Sequence, residues 1–172
     1  MTVKNTPQIE QDVQKALVDF TKKVPHGTTA RTQAIMNSLI NLADDNGYYV
    51  YGPKCNNLDP TITACLYDMV WFTPMKLPYL SVENIIFDKV HLVLECEWKR
   101  DIGDIMYDFQ KLVQARADHR VMIFESYETD STINNMIQYV ESSPLSVNGD
   151  RYLIAALRAE DWTFNFKSHV KS

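Results

Sequence analysis

The sequence lacks the features that mark membrane proteins and zinc proteins. Its 172 residues contain no apolar run close to the roughly 20 residues of a membrane span. The N-terminus has no apolar segment of the signal-peptide type, so we expect a cytoplasmic protein without a membrane partner. The 3 cysteines show no C-x-x-C spacing, and the 4 histidines show neither an H-x-x-x-H nor an H-E-x-x-H pattern. We therefore expect no zinc site, and we interpret Cys65 and Cys96 as small buried apolar residues.

An excess of basic residues is also missing. The chain carries 17 Lys and Arg against 22 Asp and Glu, a formal net charge of -5. This balance weighs against a nucleic-acid binder that depends on overall charge, although a local basic patch can coexist with an acidic remainder. Five basic residues around the third predicted helix form such a patch or belong to an ordinary mixed surface; they are Lys99, Arg100, Lys111, Arg116 and Arg120.

Hydrophobic periodicity predicts a single α/β domain over residues 1–172. Residues with three- and four-residue apolar spacing predict helices, and short apolar or alternating runs predict strands. The predicted order is α-α-β-β-β-α-β-α-β-β, with helices near residues 8–24, 29–46, 101–117 and 130–142 and strands near 48–51, 61–72, 90–99, 120–125, 151–157 and 162–167. We expect a central mixed β-sheet flanked by helices.

The strand near residues 90–99, V-H-L-V-L-E-C-E-W-K, is the most informative stretch. Alternation puts Leu92, Leu94, Cys96 and Trp98 on one face, and His91, Val93, Glu95, Glu97 and Lys99 on the other. Charged groups on so apolar a strand are costly to bury without partners. The same reasoning applies to Asp68 in the preceding apolar run.

If these two strands are neighbours, Asp68, Glu95 and Glu97 lie close together. Three carboxylates at short range raise one another's pKa unless a cation lies among them. Oxygen ligands without His or Cys suit Mg²⁺ or Mn²⁺. Lys99 would then orient a water or offset developing negative charge.

An acid on one strand, acid-x-Lys on the next, and then a helix and a strand resemble the PD-(D/E)XK nuclease superfamily, which has the restriction-endonuclease-like fold. The α-β-β-β-α-β core of that fold would cover about residues 28–126. The resemblance implies that Asp68 and Glu97 bind a divalent metal together with the backbone carbonyl of Trp98. It also implies that Lys99 positions the attacking water, and that Glu95 is an additional or alternative ligand.

The resemblance further implies a nucleic-acid substrate, with DNA preferred to RNA. Arg100, Gln110 and Lys111 would contact it, the last two from the helix behind the site. A homodimer or a partner subunit would be needed to cut both strands of a duplex. The sequence departs from the family because Tyr67 precedes the acid where many members have proline, and because residues 28–43 contain no acid.

Other interpretations stay open. The same fold without catalysis would make the chain a module for binding nucleic acid or protein. Glu95 and Glu97 could face solvent on an edge strand, and Asp59 or Asp88 could be the first acid. Hydrolysis of a glycoside by two carboxyl groups is conceivable from the spacing of Glu95 and Glu97, but Lys99 and the lack of an aromatic groove pattern argue against it.

Overall fold

The computed structural model describes residues 6–53, 55, 65–75 and 86–172. Within these ranges four helices and six strands follow one another in the predicted order. They are α1 Thr6–Thr21, α2 Thr28–Asp45, β1 Tyr49–Tyr51, β2 Met69–Met75, β3 Ile86–Glu97, α3 Ile102–Val113, β4 His119–Ser126, α4 Thr129–Ser142, β5 Arg151–Arg158 and β6 Phe164–Val170.

The strands form one mixed sheet with the order β1-β2-β3-β4-β5-β6. The three middle strands β3, β4 and β5 are parallel, and α3 and α4 connect them as crossover helices. The outer pairs β1–β2, β2–β3 and β5–β6 are antiparallel. This topology confirms the predicted mixed-sheet α/β fold with an α-β-β-β-α-β core.

Both faces of the sheet are covered by helices. The helices α1 and α2 contribute to a core on one face together with Leu92, Leu94 and Cys96 of β3. The helices α3 and α4 contribute to a second core on the other face together with Val93. The predicted alternation of β3 is confirmed over this stretch, and it points Glu95 toward α3.

The second core strand is shorter than predicted. We expected residues 61–72, but β2 begins at Met69; residues 61–64 and Asp59 lie outside the described part of the chain. A side chain explains the start of the strand. Asp68 Oδ2 accepts a hydrogen bond of 2.9 Å from the backbone N–H of Cys96, where a backbone carbonyl would continue the ladder.

The third strand is shifted toward the N-terminus relative to its prediction. It begins at Ile86 and ends at Glu97, so Trp98 and Lys99 follow the strand rather than belong to it. Asp88, the alternative candidate for the first acid, is an exposed residue within β3. The strand ends here because the chain turns into α3, whose N-cap is Asp101.

A β-bulge changes the direction of His91. Trp71 pairs with Leu92 while Phe72 pairs with Val90, so His91 is an extra residue on β3. Its ring stacks on Tyr48 at 4.4 Å, and Tyr48 packs against the core on the α1–α2 side. The prediction that His91 shares a face with Val93 and Glu95 is therefore wrong, because strict alternation ends at the bulge.

Candidate active site

Two acidic residues are neighbours in the sheet register: Asp68 lies immediately before β2, and Glu95 lies on β3. Met69 pairs with Leu94, so Asp68, one residue earlier, lies beside Glu95. The bond from Cys96 N–H fixes the Asp68 carboxylate at this position. Both residues are buried, with 8% of Asp68 and 1% of Glu95 exposed. The predicted proximity of these two strands and two acids is present in the structure.

Gly52 allows the backbone at Asp68, immediately before β2, to pack closely against the chain that follows β1. A Cβ atom built on Gly52 would lie 2.3 Å from the backbone oxygen of Asp68. No side chain fits at that distance, because real Cβ atoms stay beyond 3.0 Å from such atoms. Gly52, which follows β1, thus helps set the position of Asp68 although it carries no functional group.

Glu97 is oriented differently from Glu95. It is half-buried, and its Oε1 accepts a hydrogen bond of 2.6 Å from the backbone N–H of Lys99. Within the described ranges no three His, Cys, Asp or Glu side chains gather at the spacing of a metal site. The structure thus brings Asp68 and Glu95 together, and Glu97 bends toward the start of the next loop.

The positive charge nearest to Glu95 comes from helix α3. Lys111 Nζ lies 2.7 Å from Glu95 Oε1 and 2.9 Å from Asp108 Oδ1. Asp101 is the N-cap of the helix, and its Oδ1 accepts hydrogen bonds from Gly103 N–H and Asp104 N–H. Four buried residues set its rotation, so that Lys111 reaches over β3; they are Ile105, Phe109, Leu112 and Val113.

Burial of Glu95 and its charged neighbours determine the pKa values in the site. Burial, followed by the negative charge of Asp68, raises the pKa of Glu95 to about 8, although Lys111 acts in the opposite direction. Burial alone would lower the pKa of Lys111, but its contacts with Glu95 and Asp108 outweigh burial and raise that pKa to about 12. Lys111 is therefore a permanent cation beside a carboxyl group that ionises reluctantly.

The two basic residues after β3 make contacts away from Glu95. The side chain of Lys99 is 70% exposed, and its Nζ lies 3.3 Å from Asp104 Oδ2. Arg100 Nη2 lies 2.7 Å from Glu125 Oε1, and its guanidinium lies over the ring of Tyr127. Both residues stay at the surface near the N-terminus of α3.

Trp98 and Gln110 complete the predicted set. The ring of Trp98 is buried, and its Nε1–H donates a hydrogen bond of 2.8 Å to Thr32 Oγ1 of α2. Gln110 is exposed, and its Nε2 donates a bond of 3.4 Å to the carbonyl of Met106 one turn earlier. The Trp98 ring thus belongs to the core, and the role of its backbone carbonyl stays a prediction.

The five basic residues considered as a patch do not share one surface. Lys111 contacts the buried Glu95, and Arg120 is 3% exposed with its Nη2 2.8 Å from Asp150 Oδ1. The side chains of Lys99, Arg100 and Arg116 remain exposed. The structure thus divides the set into an inner pair and an outer group.

Sequence reasoning missed the link between Lys111 and Glu95. The family resemblance assigned Lys111 to nucleic-acid contact from the helix behind the site. One signal was present: Asp108 and Lys111 are three residues apart on a helix, at the border of its apolar stripe. That spacing predicts a pair on the helix surface, but it does not show that the pair reaches a strand residue.

No protein-family model and no curated protein matches this chain. Among solved structures, the chain is similar to the structure of E. coli MS115-1 NucC in its cAAA-bound form, with 12% sequence identity and a TM-score of 0.46. That likeness covers 95% of this chain and 81% of that chain. In the part of the chain that the structure describes, no helix is long and apolar enough to cross a membrane.

Proposed function

We propose that this protein hydrolyses nucleic-acid phosphodiester bonds with Mg²⁺ or Mn²⁺, as a nuclease of the PD-(D/E)XK type. The observation that carries the proposal is the buried pair formed by Asp68, immediately before β2, and Glu95 of β3, with Lys111 beside it. Glu97 follows on the same strand. Two carboxylates this close are destabilising unless cations offset their charge.

The donor set fits a hard divalent cation. Carboxylate oxygens are the ligands that Mg²⁺ prefers, and Mg²⁺ commonly uses one or two protein carboxylates together with waters and substrate phosphates. Asp68 and Glu95 would hold the ion. The carbonyl of Trp98 would be a further ligand, and Glu97 would join them only by leaving its present bond with Lys99 N–H. The ion would supply Lewis-acid polarisation of the phosphate and a more acidic bound water.

Contacts within the chain hold the two acids in place, and an exposed basic residue would bind the substrate. Asp68 is fixed by its bond to Cys96 N–H, and Glu95 by its contact with Lys111. Arg100 is exposed near the N-terminus of α3, where it would contact the phosphate backbone. We propose DNA as the preferred substrate. Cutting both strands of a duplex would require a second copy or a partner subunit.

The test is cleavage of labelled single-stranded and duplex DNA and RNA with Mg²⁺, with Mn²⁺ and with EDTA. We expect cleavage that depends on the metal and a loss of at least about 100-fold in Asp68→Asn and in Glu95→Gln. The exposed Glu160→Gln is the matched control and keeps the full rate. An inert wild type, or full activity in Asp68→Asn, would contradict the proposal.

A catalytically silent binding module is the second candidate. The observation that favours it is Lys111, because an internal cation already offsets the charge of Glu95. This candidate predicts that the wild type shifts DNA in an electrophoretic assay, cleaves none of the substrates, and releases no heat with Mg²⁺ in a calorimeter. Metal-dependent cleavage would eliminate it.

A further inference from the structure

We infer that Lys111, on helix α3, supplies the catalytic ammonium of this site, and that Lys99 of the acid-x-Lys pattern does not. This inference rests on the proposed function and names the cation that would contact the reacting phosphate. It is carried by the positions of the two lysines relative to Asp68 and Glu95.

The two lysines differ in what they contact. Lys111 Nζ lies 2.7 Å from Glu95 Oε1, and its side chain is 21% exposed. The side chain of Lys99 is 70% exposed, and its Nζ lies 3.3 Å from Asp104 on the helix. Lys99 also follows the end of β3, so the strand no longer fixes its direction. Only Lys111 contacts a member of the buried carboxylate pair.

The helix holds Lys111 in this place. Phe109 and Leu112, on either side of it in the sequence, are fully buried and fix the rotation of α3 against the sheet. Asp108, one turn earlier, accepts the same ammonium at 2.9 Å. An ammonium with two carboxylate partners stays charged, and a third N–H remains for a phosphate oxygen or a water.

The chemistry that follows is ordinary hydrolysis. The oxygen of a water forms a bond to phosphorus, the bond from phosphorus to the leaving sugar oxygen breaks, and a proton passes from the water through solvent to that oxygen. Lys111 would donate a hydrogen bond to the phosphate as negative charge grows on it, and would not itself be consumed.

The experiment compares Lys111→Gln, Lys111→Arg and Lys99→Gln in the full chain. In the cleavage assay we expect the rate of Lys111→Gln to fall at least about 100-fold. The rate of Lys99→Gln should stay within about threefold of the wild type, because the contact of Lys99 is exposed. Lys111→Arg should recover at least about a tenth of the wild-type rate, because arginine restores the charge. Recovery by arginine separates a role for the charge from a purely structural one.

Calorimetry with Mg²⁺ alone gives a readout that does not need turnover. Removal of the positive charge beside Glu95 should tighten Mg²⁺ binding at least about fivefold in Lys111→Gln, because like charges repel at this range. Lys99→Gln and Lys111→Arg should bind Mg²⁺ like the wild type. Equal Mg²⁺ affinities in the two glutamine variants would contradict the placement of Lys111.

Failure of the proposed function and failure of this inference give different results. An inert wild type overturns the proposed function and this inference together. An active wild type in which Lys111→Gln keeps its rate overturns the inference alone. Loss of activity in Lys99→Gln, with Lys111→Gln active, would return the catalytic role to the acid-x-Lys strand.

Discussion

At the residue scale, the position of Asp68 depends on a contact that involves no functional group. The backbone of Gly52 packs against the backbone oxygen of Asp68, and a Cβ atom there would lie 2.3 Å from it. Asp68 in turn binds Cys96 N–H through its carboxylate. A change at Gly52 would therefore reach the carboxylate pair through the backbone.

We expect Gly52→Ala to displace Asp68 and to impair the site. Gly149→Ala is the matched control, because Gly149 also has a positive φ but an added Cβ would meet nothing within 4 Å. The control should cost about 1–2 kcal/mol from backbone strain. Gly52→Ala should cost a further 1–3 kcal/mol or so from overpacking, and it should lower both the Mg²⁺ affinity and the cleavage rate. Urea unfolding and calorimetry measure these effects, and equal behaviour of the two variants would contradict the proposed contact.

The residue types of the site could be predicted from the sequence, whereas their pairing could not. Charged residues in apolar runs identified Asp68 and Glu95, because burying such groups is costly without a reason. The choice between Lys111 and Lys99 depends on how a helix rotates over a strand. That rotation is fixed by packing of Phe109 and Leu112, which periodicity alone does not determine.

At the element scale, the β-bulge in β3 places His91 among groups that act in opposite directions on its charge. Burial against Tyr48 lowers the pKa of His91, and its hydrogen bond and attraction to Asp118 only partly compensate. Lys89 and His119 also disfavour the charged form. The net effect lowers the pKa below the usual 6.5, so His91 is neutral in the folded protein at neutral pH.

This shift has a definite sign for stability. A histidine with a lowered pKa in the folded state binds a proton more readily when the chain unfolds. Its contribution to stability is therefore present above pH 6.5 and is lost as the pH falls through the folded-state value. In chemical denaturation between pH 5 and pH 7.5, the free energy of unfolding of the wild type should fall relative to that of His91→Gln as the pH decreases.

His26→Gln is the control for this decline, since His26 is exposed in the turn before α2. It should keep the wild-type pH dependence. If the His91→Gln profile runs parallel to the wild-type profile, the lowered pKa of His91 does not contribute to stability.

The helices were easier to predict than the strand boundaries. Apolar spacing gave all four helices because one face of each packs on the sheet. The bulge at His91 and the start of β2 at Met69 depend on register and on a side-chain bond to Cys96. Neither leaves a pattern in hydrophobicity, so sequence periodicity missed both.

At the scale of the whole molecule, one buried acid ties the N-terminal helix to two interior strands of the sheet. Glu10 of α1 is 4% exposed, and its Oε1 lies 2.8 Å from Arg151 Nε and 3.1 Å from His119 Nδ1. These contacts join α1 to β5 and β4 across 141 and 109 positions of the sequence. Amphipathic spacing predicted the apolar face of α1, but no local pattern predicts partners so distant.

We expect Glu10→Ala to lower the free energy of unfolding by about 3 kcal/mol, because removal of one partner leaves buried charged and polar groups without compensation. The exposed pair of Asp19 and Lys22 on the same helix supplies the control, and Asp19→Ala should change stability little. Denaturant unfolding compares the two variants. Since Glu10 lies beyond the contacts of Asp68, Glu95 and Lys111, Glu10→Ala should keep the wild-type Mg²⁺ affinity at a temperature where it remains folded. A loss of stability no greater than that of Asp19→Ala would show that α1 is held by its apolar face alone.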